Sequence, residues 1–318
     1  FAAVVLMLNP YFINLPTIGH GSKLAVFSLL PFVFLLTLKL FETRKVLYLG
    51  LLSAAMGWMH LLRHPQIAFY VLLTVGCYLL YDVLSDIKKK QPAAAAIKTV
   101  LFGLAVVIGF SIYAYEFLPT QEYAKYSIRG GSGDGKITSG LTYEYATNWS
   151  LHPLELTTYV LPSAFGYSTA YETDVQGQQQ LLPLYWGWMP FSDGPPYVGL
   201  LPVLLSILAL IYRRNAMTWF LAALSAVIFL ISFGNYFGIV YNLLFYYLPF
   251  FNKFRAPSMI LFLIPFTFGL LALYGLSFAT EIKTGESGNL RKRVMAILAA
   301  LGGVLVVGFI AKSGLYGF

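Results

Sequence analysis

Eight apolar runs, with charged residues only near their ends and each close to the length that crosses a lipid bilayer, dominate this chain. A hydrocarbon core about 30 Å thick takes roughly 20 predominantly apolar residues as one helix. The runs lie at approximately Leu24 to Phe41, Val46 to Leu62, Gln66 to Leu84, Ile97 to Leu118, Pro196 to Tyr212, Ala216 to Gly234, Pro257 to Ala279 and Val294 to Ala311. Phe1 to Leu8 reads as a ninth, truncated span. It has neither the charged start nor the small-residue cleavage site of a signal peptide, so the sequence is expected to be an internal fragment of a longer protein.

Of the 318 residues, 58% are hydrophobic and 11% charged, whereas soluble domains carry about a quarter charged residues. A soluble globular domain is excluded. The net charge of +8 then concerns which loops hold the basic residues, and nucleic acid is not an expected partner. Arg44, Lys45, Lys88, Lys89, Lys90, Lys98, Arg213, Arg214, Lys283, Arg291, Lys292 and Arg293 fall in one alternating set of short connections. Fewer basic residues are spread over the longer connections of the other set. The first set is therefore expected in the cytoplasm, and the long loop Pro119 to Pro195 outside. In that loop acidic residues outnumber basic ones, in agreement with this orientation.

The expected architecture is all-α: a polytopic transmembrane helical bundle with an ordered extracytoplasmic loop. Residues 1–118 form transmembrane helices and 119–195 the loop. Residues 196–318 form further helices, with a re-entrant or interfacial segment at 241–256, where the aromatic run is too short to span and is broken by Pro249. Within the loop, Leu154 to Phe165 reads as an amphipathic helix in the membrane interface, and Gly130 to Gly135 and Gln176 to Gln180 as mobile. Lys39, His60, Asp82 and Glu116 lie near span ends, where a charge can reach the interface. Without mid-membrane charges or paired broken helices, an ion-coupled transporter is disfavoured.

Polar chemistry concentrates outside the spans. Tyr and Trp interleaved with amide and carboxylate side chains can stack on sugar faces and bind hydroxyls, or can form an ordinary aromatic belt. Glu122, Lys125 and Arg129 just beyond a span offer a general base and phosphate contacts, or a solvated helix end with Glu122 paired to Lys125. Lys253 and Arg255 beside aromatics suit a lipid-linked phosphate or simple headgroup anchoring. His60 and His64 have helical metal spacing but no third ligand nearby, so capping and interhelical hydrogen bonds are the better reading. Cys77 stands alone in an apolar run.

Six blocks, GHGSKLAVFSLLP from Gly19, HPQIAFY from His64, EYAKYSIRGG from Glu122, YATNWSLHPLEL from Tyr145, YWGWMPFSDGPPYVG from Tyr185 and LPFFNKFRAPSM from Leu248, resemble the bacterial YfhO family of membrane proteins. The resemblance implies a GT-C-like glycosyltransferase architecture in the bacterial inner (plasma) membrane. Such a protein takes sugar from a polyprenyl-phosphate donor and transfers it to a cell-envelope polymer at the outer face. It also implies that the principal catalytic carboxylate lies upstream of this fragment. Within that scheme Glu122 and Asp193 are the candidate catalytic acids, and Arg129, Lys253 and Arg255 the candidates for the donor phosphate. His20, Lys23, His64, Gln66, Tyr126, Trp149, Glu155 and Trp186 are the candidate substrate contacts. Membrane lipids are expected partners. No cofactor is required, and a divalent cation is optional. A lipid or polysaccharide flippase and a non-catalytic envelope assembly factor are the alternatives.

Overall fold

The computed structural model describes residues 1–124, 126–127, 140–166, 168–173, 177–192 and 196–281, with isolated positions between 292 and 306. The chain is mostly helical. The helices are α1 (Ala2–Met7), α2 (Pro10–Thr17), α3 (Gly21–Ser28), α4 (Leu30–Thr43), α5 (Val46–Leu61), α6 (Pro65–Lys88), α7 (Pro92–Ala124), α8 (Tyr143–Thr147), α9 (Leu200–Tyr212), α10 (Ala216–Ser232), α11 (Gly238–Tyr247) and α12 (Ile264–Glu281). Proline opens α6 and α7, at the position where its missing N–H costs no helical hydrogen bond. Arg44 closes α4 in the left-handed conformation.

Among the described residues, four helical stretches are long and apolar enough to cross a membrane: Gly21–Thr43, Pro65–Lys88, Pro92–Ala124 and Pro257–Glu281. A fifth candidate, Ala216–Ser232 with Gly234–Tyr247, is bent by 116°. Two other expected spans are helices of 16 and 13 residues, α5 and α9, and Val294 to Ala311 falls largely outside the described residues. Only 22% of the most apolar window of Pro92–Ala124 is buried by protein. Val100, Leu104, Val107 and Ile108 are left exposed along it, and a lipid phase accounts for such a surface.

The chain divides into two compact units. The first comprises Phe1–Asn14, Leu151–Phe229 and Leu261–Phe318. Here α9 and α12 lie so close that a Cβ on Gly275 would sit 1.9 Å from the Leu205 carbonyl oxygen. Hydroxyls join neighbouring segments: Ser225 donates to Thr267 Oγ1 at 2.7 Å, and Ser206 to the carbonyls of Pro202 and Phe268 at 2.7 and 3.2 Å. The loop portion of this unit holds an antiparallel hairpin of β1 (Thr169–Thr173) and β2 (Gln179–Pro183), in which Tyr171 faces Leu181. Gln179 and Gln180 are thus strand residues. In place of the expected amphipathic helix there is a 3-10 turn, Pro153–Tyr159, with Glu155, Thr158 and Tyr159 buried. Its buried face turns inward onto protein, which an interfacial helix would not do.

The second unit comprises Leu15–Ser150 and Leu230–Ile260. Small residues bring α5 against α7: a Cβ on Gly57 would lie 2.8 Å from Ile112 Cβ, and one on Gly109 2.9 Å from Met56 Cβ. Leu30, Leu40, Leu52, Met56, Met59 and Tyr70 are among the unit's largest fully buried side chains. The buried hydroxyls of Thr37, Ser53 and Thr74 donate back to carbonyls one turn earlier, at 2.8, 2.8 and 2.9 Å, so none is left unsatisfied in the apolar interior.

Candidate functional site

The polar chemistry of the second unit gathers where α6 begins. His64 precedes Pro65, and its ring nitrogen accepts from the backbone N–H of Ile67 at 3.3 Å. This caps the helix in the way a short polar side chain does. Gln66 in the first turn is 4% exposed. Its amide nitrogen donates to the Arg255 carbonyl at 2.6 Å and to the Tyr70 hydroxyl at 3.2 Å. The start of α6 is thereby tied to the segment between α11 and α12.

That segment is held in an irregular path. Phe250 and Ala256 within it, and Trp149 in the strip after α8 that bonds to it, have φ between 60° and 67°, a region that disfavours residues with a Cβ and persists only where surrounding contacts enforce it. The contacts are present. Ala256 N–H donates to the Ala146 carbonyl at 3.1 Å and Ser258 N–H to the Trp149 carbonyl at 3.2 Å, while Leu141 N–H donates to the Asn252 carbonyl at 2.9 Å. Beneath it, Phe69 packs on Phe251 and Phe254, and Tyr241 on Phe251, at centroid distances from 5.1 to 6.2 Å. The turn into α11 depends on Gly234, whose φ is +48° and whose added Cβ would lie 2.0 Å from Ser150 Oγ.

Arg255 is displayed on this frame. Its Nη1 donates to the Tyr145 hydroxyl at 2.7 Å, and its guanidinium carbon stands 5.5 and 5.6 Å from the ring centroids of Tyr145 and Trp149. The planar cation is thus oriented by an aromatic corner. It is exposed, and among the described residues it has no carboxylate partner. Its other N–H donors can meet an anion in a forked geometry. Lys253, two residues earlier, is half-buried, and that burial lowers its pKa from the ordinary lysine value.

The structure therefore brings His64, Gln66, Trp149, Lys253 and Arg255 into one unit and places Gln66, Trp149 and Arg255 in contact. His20 and Lys23 flank the start of α3 in the same unit, both half-buried. Glu122 is exposed near the end of α7, and Tyr126 beyond it is exposed too. Arg129 and Asp193, like Lys125, lie outside the described residues.

Glu155 and Trp186 belong to the first unit. Glu155 is 3% exposed. One oxygen accepts from the Tyr185 hydroxyl at 2.7 Å and the other from Trp188 N–H at 3.2 Å. Tyr185 in turn accepts from Met189 N–H at 2.9 Å. Such a carboxylate braces the loop and offers no free oxygen to a sugar. Trp186 is nearly half exposed and tilted against Phe165, while Trp188 stacks on His152 at 3.8 Å.

Two features had no signal in the sequence. Tyr145 meets Arg255 across 110 residues, a separation at which no local pattern operates. Lys98 joins Asp82 and Asp86 at 2.5 and 2.7 Å, so Asp82 is ion-paired within the protein. Likewise Glu116 accepts from Arg63 at 3.0 Å and Glu42 from Lys39 at 2.8 Å. Among the described residues no group of three or more potential metal ligands occurs. The chain matches no family model, no curated protein and no solved structure.

Proposed function

We propose that this chain is part of a GT-C-like, eight-span membrane glycosyltransferase related to the bacterial YfhO proteins, acting at the outer face of the inner membrane. It takes sugar from a polyprenyl-phosphate donor and passes it to a cell-envelope polymer. One observation carries the reading: an exposed guanidinium without a carboxylate partner among the described residues, held by Tyr145 and Trp149 and set beside a second cation, Lys253, on a short segment that follows a sharply bent apolar helix.

In this scheme an acceptor hydroxyl loses its proton to a carboxylate and attacks the sugar C1. The C1–O bond to the lipid phosphate breaks with inversion, and the departing phosphate keeps the electron pair. Arg255 and Lys253 stabilise the charge that develops there, and a lipid monophosphate needs no metal for this. Glu122 and Asp193 are the acids within the chain that can serve as base, besides one contributed from upstream. Aromatic rings at Trp149 and Tyr145 fit the sugar's C–H faces.

A flippase asks for a polar path through the spans. Asp82 and Glu116 are instead tied to Lys98 and Arg63 respectively. Lys98 and Glu116 stand 18 residues apart on α7, roughly 27 Å at 1.5 Å per residue, which supports the transferase reading over that alternative.

The test is transfer of labelled sugar from a polyprenyl-phosphate donor to envelope material by membranes containing the full-length protein or its Arg255→Ala variant. Transfer that Arg255→Ala abolishes supports the proposal. Absence of transfer with several donors, from protein shown to be folded, overturns it in favour of an assembly factor.

A further inference from the structure

At the far end of α6 from Gln66, about 24 Å along the helix at 1.5 Å per residue, the second unit holds a cavity of about 470 Å³ between α4, α6 and α7. That volume lies within the range of small-ligand sites. One side of it is charged. Lys98 is 8% exposed and Asp86 5% exposed, and Lys98 Nζ lies 2.5 Å from Asp82 and 2.7 Å from Asp86. Asp82 and Asp86 are one turn apart on the same helix face, a repulsive spacing that the lysine between them relieves. At the rim, Lys39 and Glu42 pair at 2.8 Å.

The charge count decides what such a cavity can take. The charged residues that line the cavity balance, Lys39 and Lys98 against Glu42 and Asp82, and Asp86, which Lys98 also touches, adds one negative charge behind the wall. An anionic guest would meet occupied cations and surplus negative charge, whereas a single ammonium would balance the cluster. The neighbouring wall suits the same guest. Phe41 and Tyr78 lie with their rings nearly parallel, 6.2 Å apart and 11° from coplanar, and aromatic faces attract ammonium groups. One turn from Lys39 and Glu42, Leu35 and Leu38 continue the lining, with Leu35 about half exposed on the apolar outer surface. A guest with a cationic head and a hydrocarbon tail meets both parts.

We infer that this cavity binds the ammonium headgroup of an aminophospholipid, with Asp82 and Glu42 receiving the ammonium, Phe41 and Tyr78 walling it, and an acyl chain following Leu35 and Leu38. This site is independent of the transferase reading and of Arg255.

The experiment uses the full-length protein in nanodiscs containing equal phosphatidylethanolamine and phosphatidylglycerol, with tightly held lipid counted by native mass spectrometry after stripping. The wild type retains phosphatidylethanolamine in preference to phosphatidylglycerol by about tenfold, and Asp82→Asn or Glu42→Gln reduces the preference to roughly twofold or less. Glu42 sits on the exposed rim, so Glu42→Gln leaves the thermal unfolding midpoint unchanged and separates lost binding from lost folding. Equal retention of the two lipids, or a preference that survives both substitutions, overturns the inference. Free ethanolamine added to discs of phosphatidylglycerol alone binds much more weakly than the lipid. Equal binding would assign the ammonium to a soluble amine and overturn the lipid assignment.

Discussion

Gln66 reaches across 189 positions of sequence to donate its side-chain amide to the backbone carbonyl of Arg255, 2.6 Å away. The position of the exposed guanidinium thus depends on a buried side chain at the start of α6. Gln66→Met keeps the bulk but leaves that carbonyl without its donor, a loss of about 1–3 kcal/mol. The expected outcome is a lower thermal unfolding midpoint together with weaker binding of a polyprenyl-phosphate donor. An unchanged midpoint would show that water replaces the amide without loss.

Arg255 and its aromatic corner separate by substitution. Arg255→Ala is expected to weaken donor binding by about 10- to 100-fold, the range of a lost charged hydrogen bond. Arg255→Lys keeps the charge but loses the fork and the stacking on Tyr145 and Trp149, and should fall between the two. Titration of the three proteins with a radiolabelled polyprenyl phosphate in detergent distinguishes these outcomes, and equal affinity of Arg255→Lys and wild type would reduce the site to a point charge.

Because burial lowers its pKa, Lys253 loses its charge at a lower pH than a surface lysine. Donor binding should therefore weaken as pH rises, through a transition below the ordinary lysine value of 10.5, and Lys253→Arg should remove that transition. The stability effect has the opposite sense. The fold disfavours the charged form, so between the folded and unfolded pKa values the unfolded chain binds more protons, and this residue's contribution to stability rises with pH. Affinity measured from neutral to alkaline pH in both proteins checks the first claim.

Tyr159 is 5% exposed, and its hydroxyl finds no hydrogen-bond partner among the described residues. Tyr159→Phe removes an unsatisfied buried group and is expected to stabilise the protein by about 1 kcal/mol. Burial, reinforced by Tyr11 and Glu155, holds the phenol well above its ordinary pKa. Below about pH 10 both folded and unfolded tyrosine stay protonated and this contribution is intact. Above it the unfolded phenol ionises first, so stability declines until the folded value is passed, and Tyr159→Phe should show a shallower alkaline decline in thermal unfolding.

Lys98→Met leaves Asp82 and Asp86 facing each other without their shared cation. Breaking a buried pair from one side costs about 3–5 kcal/mol, so this variant should unfold far more readily than Lys98→Met combined with Asp82→Asn and Asp86→Asn. Chemical denaturation of the two proteins in one detergent compares them directly.

Helix positions were readable because an apolar run of fixed length is a local property. The run Gln66 to Leu84 marks a helix from Pro65 to Lys88, and Ile97 to Leu118 one from Pro92 to Ala124. The helices exceed the runs because a helix continues through its charged ends, which hydrophobicity does not register. The loop was less readable. Between Leu154 and Phe165 the apolar pattern suits an amphipathic helix, yet Pro153–Tyr159 is a 3-10 turn in which Glu155 is buried and fixed by Tyr185 and Trp188. Gln179 and Gln180 owe their strand conformation to pairing with Thr173 and Glu172. At the candidate site, cations next to aromatics single out Lys253 and Arg255. The Tyr145 partner and the Gln66 strut depend on tertiary closure and leave no trace in the chain.

The ion pair between Arg213, just after α9, and Glu281, the last residue of α12, sets a parity rule for the membrane. A chain that departs from one side at Arg213 and is back on that side at Glu281 crosses the bilayer an even number of times between them. The bent pair that begins with α10 and the stretch Pro257–Glu281 are the two apolar candidates between them, which meets an even count if each crosses once. On that count α11 adds no crossing of its own, and the 116° bend between Ala216–Ser232 and Gly234–Tyr247 takes α11 off the line of α10. Insertion of one further apolar span between Ser232 and Pro257 would make the count odd and would have to break the Arg213 to Glu281 pair.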